Sequence, residues 1–318
     1  MRLATSTASF SFGSPYENMP MTVYYQRLRE ALINNSAYTE DNNAATLLFP
    51  NEDTSVETNW PRYARPSSAW LKGEFDLDRH QRYLDLLALS QRPLCIVNMH
   101  PFIRVPLQMA PNENVIVADI NLLESERRAN PRTISMPALP VTCGSFDRSA
   151  KTTYAGFRGV DSHPCRREIV ALNNGTTIKT EFVDRQNHFG LIDAQNGTSD
   201  KNYVKLLATS IFAFVPRGDA HFSYRLLETM SFGCIPIVIA DELILPFDRQ
   251  VPWNDFALHV PESKIAEIPH ILSQIPPGRV TQMQDAVETS YMRCFADMNR
   301  IAEALLREAF VLTERPNA

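Results

Sequence analysis

Short, continuous apolar runs alternate with longer amphipathic stretches along most of the chain. Residues 44–49 (AATLLF), 94–98 (LCIVN) and 114–118 (NVIVA) are runs of strand length. Residues 134–141 are interrupted by Pro137 and Pro140 and read as a crossing segment. Residues 23–32 and 79–89 carry their apolar positions at helical spacing. The second half repeats the alternation: strands are expected at 152–157, 178–183, 211–215 (IFAFV) and 234–240 (CIPIVIA). Helices are expected at 166–172, 201–208 and 221–232, the last stopped by Gly233, which tolerates left-handed backbone just past a helix end. Residues 280–311 form a helical tail with almost no breakers. Uniformly apolar strands alternating with helices predict parallel sheets covered on both faces, an α/β fold.

The polar stretch 142–150 (TCGSFDRSA) interrupts this pattern and reads as an interdomain linker. The expected division is therefore a domain over residues 1–145, a second over 146–285, and C-terminal helices over 286–318 packing back on the first. A chain of 318 residues is long enough for two cores. Its net charge of −5 argues against a general nucleic-acid binder or a binder of anionic membranes. No run of 18 uncharged apolar residues is present, so no membrane span is expected. Five scattered cysteines without CxxC spacing point to free thiols in a reducing compartment, and a cytoplasmic location is expected.

Chemistry concentrates after the strand 211–215. Ligands in open α/β sheets sit beyond the carboxyl ends of strands, and the loop Pro216-Arg217-Gly218-Asp219-Ala220 lies at such an end. Gly218 permits close backbone approach, and Asp219 is a candidate N-cap. Ser223 and the first helical N–H groups offer a phosphate cradle to which Arg217 and Arg225 add charge. On a helix over 221–232, His221, Arg225 and Glu228 fall on one stripe, with Glu228 suited to accept ribose hydroxyls. The structural alternative is an ordinary Arg–Glu pair on a solvated face. Asp241 and Glu242 follow the next strand, within reach of sugar hydroxyls if the strands are parallel neighbours.

These residues resemble a family. Pro216-Arg217-Gly218, Ser223-Tyr224-Arg225-Leu226-Leu227-Glu228, Gly233-Cys234-Ile235-Pro236, Leu245-Pro246-Phe247 and Trp253-Asn254-Asp255-Phe256 resemble the donor-binding segment of exostosin glycosyltransferases. The departures are Thr229 where alanine is usual and Ile244 inserted before Leu245. Residues 154–159 (YAGFRG) with Arg166 and Arg167, and residues 98–102 (NMHPF) and 44–50, resemble the family more faintly. The resemblance implies a GT-B architecture, two Rossmann-like domains facing across a cleft with C-terminal helices crossing back. It implies inverting transfer of a sugar such as xylose or glucuronic acid from a UDP-sugar to an oligosaccharide acceptor, with no obligatory metal or other cofactor. Carried over by position, Arg217, Ser223 and Arg225 would contact the diphosphate, Arg158 and Arg166 would close over it from the opposite loop, and Glu228 would take the ribose.

Inversion needs a general base for the acceptor hydroxyl. Glu52 and Asp53, after the first buried run, are the leading candidates, followed by Glu57 and His100. Two other readings compete. One is a catalytically inactive nucleotide- or glycan-binding module that works with a partner transferase. The other is a metal-dependent enzyme using the Asp76-Leu77-Asp78 triplet, although Asp78 as an N-cap explains that triplet equally well.

Overall fold

A computed structural model describes residues 3–5, 20–41, 44–49, 93–99, 114–183 and 200–314. The expected helix at 79–89, the Asp76–Asp78 triplet, and Glu52, Asp53, Glu57 and His100 lie outside the described residues. The chain divides into two compact units. One comprises Met1–Met136, Ile244–Gln250 and Asp297–Ala318; the other comprises Pro137–Leu243 and Val251–Ala296.

In the first unit, β1 (Leu3–Thr5), β2 (Leu47–Phe49), β3 (Leu94–Asn98), β4 (Val115–Asp119) and β5 (Thr133–Ser135) form a sheet in chain order, every pairing parallel. All residues of β3 and β4 are buried, which is why their sequences show no polar alternation. Helix α1 (Pro20–Ile33) follows β1, and the short α2 (Glu124–Ala129) joins β4 to β5. Segment Ile244–Gln250 returns to this unit. Ile244 N–H donates to the Leu122 carbonyl, and Phe247 N–H donates to that of Ser135.

The second unit holds β6 (Thr153–Gly159), α3 (Pro164–Ala171), β7 (Ile178–Phe182), α4 (Lys201–Thr209), β8 (Ser210–Pro216), α5 (Arg225–Ser231), β9 (Ile235–Ile239) and β10 (Leu258–His259). Its parallel sheet has the order β10-β9-β8-β6-β7. The chain thus builds outward from β6 on one side, then crosses back to build on the other, placing a topological switch between β6 and β8. Phe157, Phe212 and Phe214 fill its core. Helix α6 (Ile268–Ser273) and helix α7 (Pro277–Cys294) complete this unit, and α8 (Met298–Glu314) belongs to the first, where it packs on α1.

The α/β expectation holds, with five local differences. The expected crossing segment begins in a paired strand, since Thr133–Ser135 pair with β4 before Pro137 ends the ladder. The unit boundary falls at residue 136/137, because the stretch read as a linker is docked: Val141 N–H donates to Glu228 Oε1 and Gly144 N–H to Ser231 Oγ. The expected tail is two helices, broken where Asp297 Oδ1 accepts the Arg300 N–H and starts a new one. Its first helix stays with the second unit, so the return to the first begins at Asp297 and not at 286. The helix expected from His221 begins only at Arg225, so His221 is not on it and Asp219 is not its N-cap. There the Gly218 N–H closes on the Ala220 carbonyl and Arg217 holds the His221 ring, fixing the loop before the helix can start. Gly233 does end α5 with φ of 67°, its N–H on the Met230 carbonyl.

Candidate functional site

The strands of the second sheet are parallel, so the carboxyl ends of β6, β8 and β9 share one edge. Pairing of Gly156 with Ala213 carries Gly159 to the level of Pro216, and Pro216 pairs with Ile239. Ligands of open α/β sheets bind beyond such an edge at the switch point. Three arginines from three separate segments converge there: Arg166 from α3, Arg217 from the loop after β8, and Arg225 from the start of α5.

Arg225 is 7% exposed. Its guanidinium carbon lies 5.4 Å from the ring centroids of both Phe157 and Tyr203, and Nη2 donates to the Arg158 carbonyl at 2.9 Å. Its Nε is buried without a hydrogen-bond partner. Arg166, 6% exposed, donates Nε to the Arg217 carbonyl at 2.8 Å and Nη1 to that of Val160 at 3.1 Å. Burial first, and then the charge of Arg225, push its pKa down to about 10. Among the described residues neither guanidinium has a carboxylate within ion-pair distance. A buried cation without a counterion is costly, and two facing each other are costlier. Such a pair is what a site built for an anion contains before the anion arrives.

Backbone is cut away to admit these groups. A Cβ on Gly159 would come within 2.5 Å of Arg225 Nη2, and one on Gly218 within 3.1 Å of Arg166 Nη2. At Gly218 a side chain would therefore crowd the Arg166 guanidinium. Arg217 sits at the rim. Its Nη1 is 2.8 Å from His221 Nε2, which must accept because a guanidinium only donates, and 3.6 Å from Glu262 Oε1. Glu262 N–H in turn donates to Asp241 Oδ1 at 3.0 Å, which ties the exposed Asp241 to this rim. Ser223 is half-buried, its Oγ accepting the Arg225 N–H at 3.4 Å.

Two expected residues are differently employed. Arg158 lies on β6, not in a loop, and its guanidinium is held by Asp200 (2.9 Å) and Glu181 (2.6 Å); its carbonyl is what meets Arg225. Glu228, 3% exposed, accepts from Val141 N–H at 3.0 Å and Tyr203 O–H at 2.6 Å, so the solvated-pair alternative fails. Phe157, Gly159, Asp200, Tyr203 and Glu262 were not legible as site residues, since each reads as ordinary strand, cap or core. Among the described residues, His163 Nδ1, Cys165 Sγ and a Glu262 oxygen lie within 4.8 Å of one another, a donor set that a divalent metal could use. Against this, Glu262 already faces Arg217, whose charge competes with a cation for that carboxylate.

Residues 96–275 match the family model described as the Exostosin GT47 domain. An Exostosin-1 homolog of Caenorhabditis elegans is 37% identical over 108 residues, 34% of this chain and 28% of that protein. A probable glucuronosyltransferase of Oryza sativa subsp. japonica is 30% identical over 179 residues, 53% of this chain and 40% of that one. A probable beta-1,4-xylosyltransferase of Arabidopsis thaliana is 36% identical over 91 residues, 29% of this chain and 22% of its own. The chain thus spans well under half the length of each of these relatives. Among solved structures, a glycosyltransferase from Rickettsia africae ESF-5 aligns with a TM-score of 0.44 and 10% identity over 97% of this chain and 84% of its own.

Proposed function

Because the chain belongs to the exostosin GT47 family, we propose that it is a glycosyltransferase that binds a nucleotide-sugar at the switch point of its second unit. The observation that carries this reading is the buried Arg166–Arg225 pair, two guanidiniums without a carboxylate counterion among the described residues, at the edge where such a fold takes phosphates. A diphosphate supplies the missing charge. As the glycosidic bond to it breaks, negative charge grows on the leaving oxygens, and preorganised cations stabilise that growth without reorganising. Arg166 and Arg225 are assigned to the diphosphate, Arg217 and Ser223 to its rim, and Gly218 to the close approach of backbone. Each oxygen of Glu228 accepts one internal bond and retains a lone pair, which is assigned to the ribose.

In this reading the donor is a UDP-sugar such as UDP-xylose or UDP-glucuronic acid, the acceptor is a glycan hydroxyl, and anomeric configuration inverts. The two units are proposed to work as a GT-B pair, with the general base drawn from the first unit: Asp53, Glu52 or His100. Asp241 is assigned to donor sugar hydroxyls. Leaving-group charge is met by arginines, so the reaction is proposed to run without a metal. No helix among the described residues is long and apolar enough to cross a membrane. All five cysteines are free. Both are compatible with the proposed cytoplasmic location.

The test is a titration with UDP- and GDP-sugars followed by saturation-transfer NMR, with donor turnover measured with and without EDTA. Binding of a UDP-sugar, with turnover and inversion indifferent to EDTA, is the expected result. Binding without turnover in the presence of glycan acceptors would favour a non-catalytic binding module. Absence of nucleotide binding would refute the donor assignment altogether.

A further inference from the structure

Five residues around the arginine pair form a closed ring of contacts. The Arg158 guanidinium donates to Asp200 Oδ2 at 2.9 Å. Asp200 caps α4, its Oδ1 accepting the N–H groups of Asn202 at 2.8 Å and Tyr203 at 3.3 Å. Tyr203 O–H donates to Glu228 Oε2 at 2.6 Å. Glu228 stands one turn along α5 from Arg225. Arg225 Nη2 closes the circuit on the Arg158 carbonyl at 2.9 Å. Every link is a hydrogen bond or a single turn of helix, and the segments joined are β6, α4 and α5.

Tyr203 is the only member of this ring that acts on Arg225 twice. Its ring, like that of Phe157, forms a wall of the socket that holds the guanidinium, and its hydroxyl holds the carboxylate of the same helix. A ring face stabilises a cation best when its plane is fixed, and the short bond to Glu228 fixes it. The chain buries this tyrosine to 3% exposure, so its hydroxyl must be partnered, and the partner is a residue of the site.

We infer that Tyr203 is a positioning residue of the donor site: it touches no substrate, but sets the plane and depth of the Arg225 guanidinium through its ring and through Glu228. Asp200 and the Arg158 guanidinium serve the same end by fixing the first turn of α4. This inference rests on the donor reading above and assigns Arg158 a supporting role in place of direct phosphate contact.

The test is calorimetric titration of UDP into the full chain carrying Tyr203→Phe, Tyr203→Leu or Tyr154→Phe, with a melting curve for each. Tyr154 is a control from the same unit, its hydroxyl donating to the Leu272 carbonyl away from the arginines. Tyr203→Phe keeps the wall and loses the tether, and should weaken UDP binding about three- to tenfold. Tyr203→Leu loses both, and should weaken it by about thirtyfold or more. Tyr154→Phe should lower the melting temperature and leave UDP affinity at the wild-type value, which separates positioning from general destabilisation. If Tyr203→Leu does not fold, the phenylalanine variant decides alone. Wild-type UDP affinity in Tyr203→Phe, and in Tyr203→Leu where it folds, would overturn the inference and leave the donor reading intact. A wild-type chain that binds no UDP would overturn both.

Discussion

Substituting Gly159 by alanine tests the arginine socket without touching a charge. The added Cβ would stand 2.5 Å from Arg225 Nη2 and 3.0 Å from Phe157 Cζ, whereas ordinary contact begins at 3.4 Å. Nη2 must therefore retreat by about 0.9 Å. The end of an arginine is normally free to move, but this one contacts the rings of Phe157 and Tyr203 and is bonded to the Arg158 carbonyl, which lies on the residue next to the new methyl. Retreat breaks that charged hydrogen bond, a loss of about 1.5–3 kcal/mol, and weakens cation–π contacts valued at about 0.5–1 kcal/mol each. The expected cost is about 2–4 kcal/mol, or a melting temperature lower by about 5–15 °C for a unit of this size. UDP affinity should fall with it. Gly278→Ala is the control: no atom lies within 4 Å of its Cβ and it sits in α7, so stability should rise by about 0.5–1 kcal/mol. Thermal melts by circular dichroism read both variants. A Gly159→Ala chain that melts and binds UDP like wild type would refute the claim that the guanidinium is held in one place.

Three further outcomes are expected. Inorganic pyrophosphate should raise the melting temperature of the wild-type chain and do so far less for Arg166→Met or Arg225→Met; equal shifts in all three would show that the anion binds elsewhere. The Lys151 ammonium donates to the carbonyls of Leu207 and Phe232 at the ends of α4 and α5 and to Cys234 Sγ, so Lys151→Met should cost about 2–3 kcal/mol in a urea melt without altering pyrophosphate binding. Burial, and then the charge of Arg217, hold the His163 pKa below its usual 6.5. The unfolded chain therefore takes up this proton first, so stability is lost as pH falls through 6.5 toward the folded value. Urea midpoints measured between about pH 5 and pH 7.5 should show this slope in the wild type and a shallower one in His163→Gln, and identical slopes would sink the argument.

Much of the fold was legible because its strands are buried on both faces. Residues 94–98 and 235–239 are buried at every position, which matches their apolar runs, and their limits were read almost to the residue. What failed was the start of α5. Residues 221–224 have helical spacing, but the bond of Arg217 N–H to the Ile239 carbonyl, the hold of its side chain on His221 and the tight closure at Gly218 outweigh that local preference. The linker reading of residues 142–150 failed similarly, because Val141 and Gly144 find their partners on a helix more than 80 residues away. Tyr203 was hidden for another reason. With Leu207 one turn on, it has the spacing of a core position, and it is one; nothing in the local sequence reveals that its hydroxyl meets a carboxylate.

The arginine and the glutamate of α5 illustrate how burial alters the meaning of a charge pair. Spaced three apart, Arg225 and Glu228 would on a solvated face form a weak ion pair that neutralises both. Here every residue of α5 is buried and the two are kept apart. Glu228 accepts from a hydroxyl and a backbone N–H, and Arg225 meets a carbonyl and two ring faces while its Nε stays unpartnered; all of these contacts are with neutral groups. Had the two paired, the Arg225 guanidinium would be held by Glu228 and Arg166 alone would be left uncompensated at the edge. By assigning neutral partners to each, the fold leaves the positive charge of Arg225 available, beside that of Arg166, at the point where the strand order reverses. The cost of two adjacent buried cations is evidence against a purely structural role for them, since a stable core has no use for an uncompensated charge.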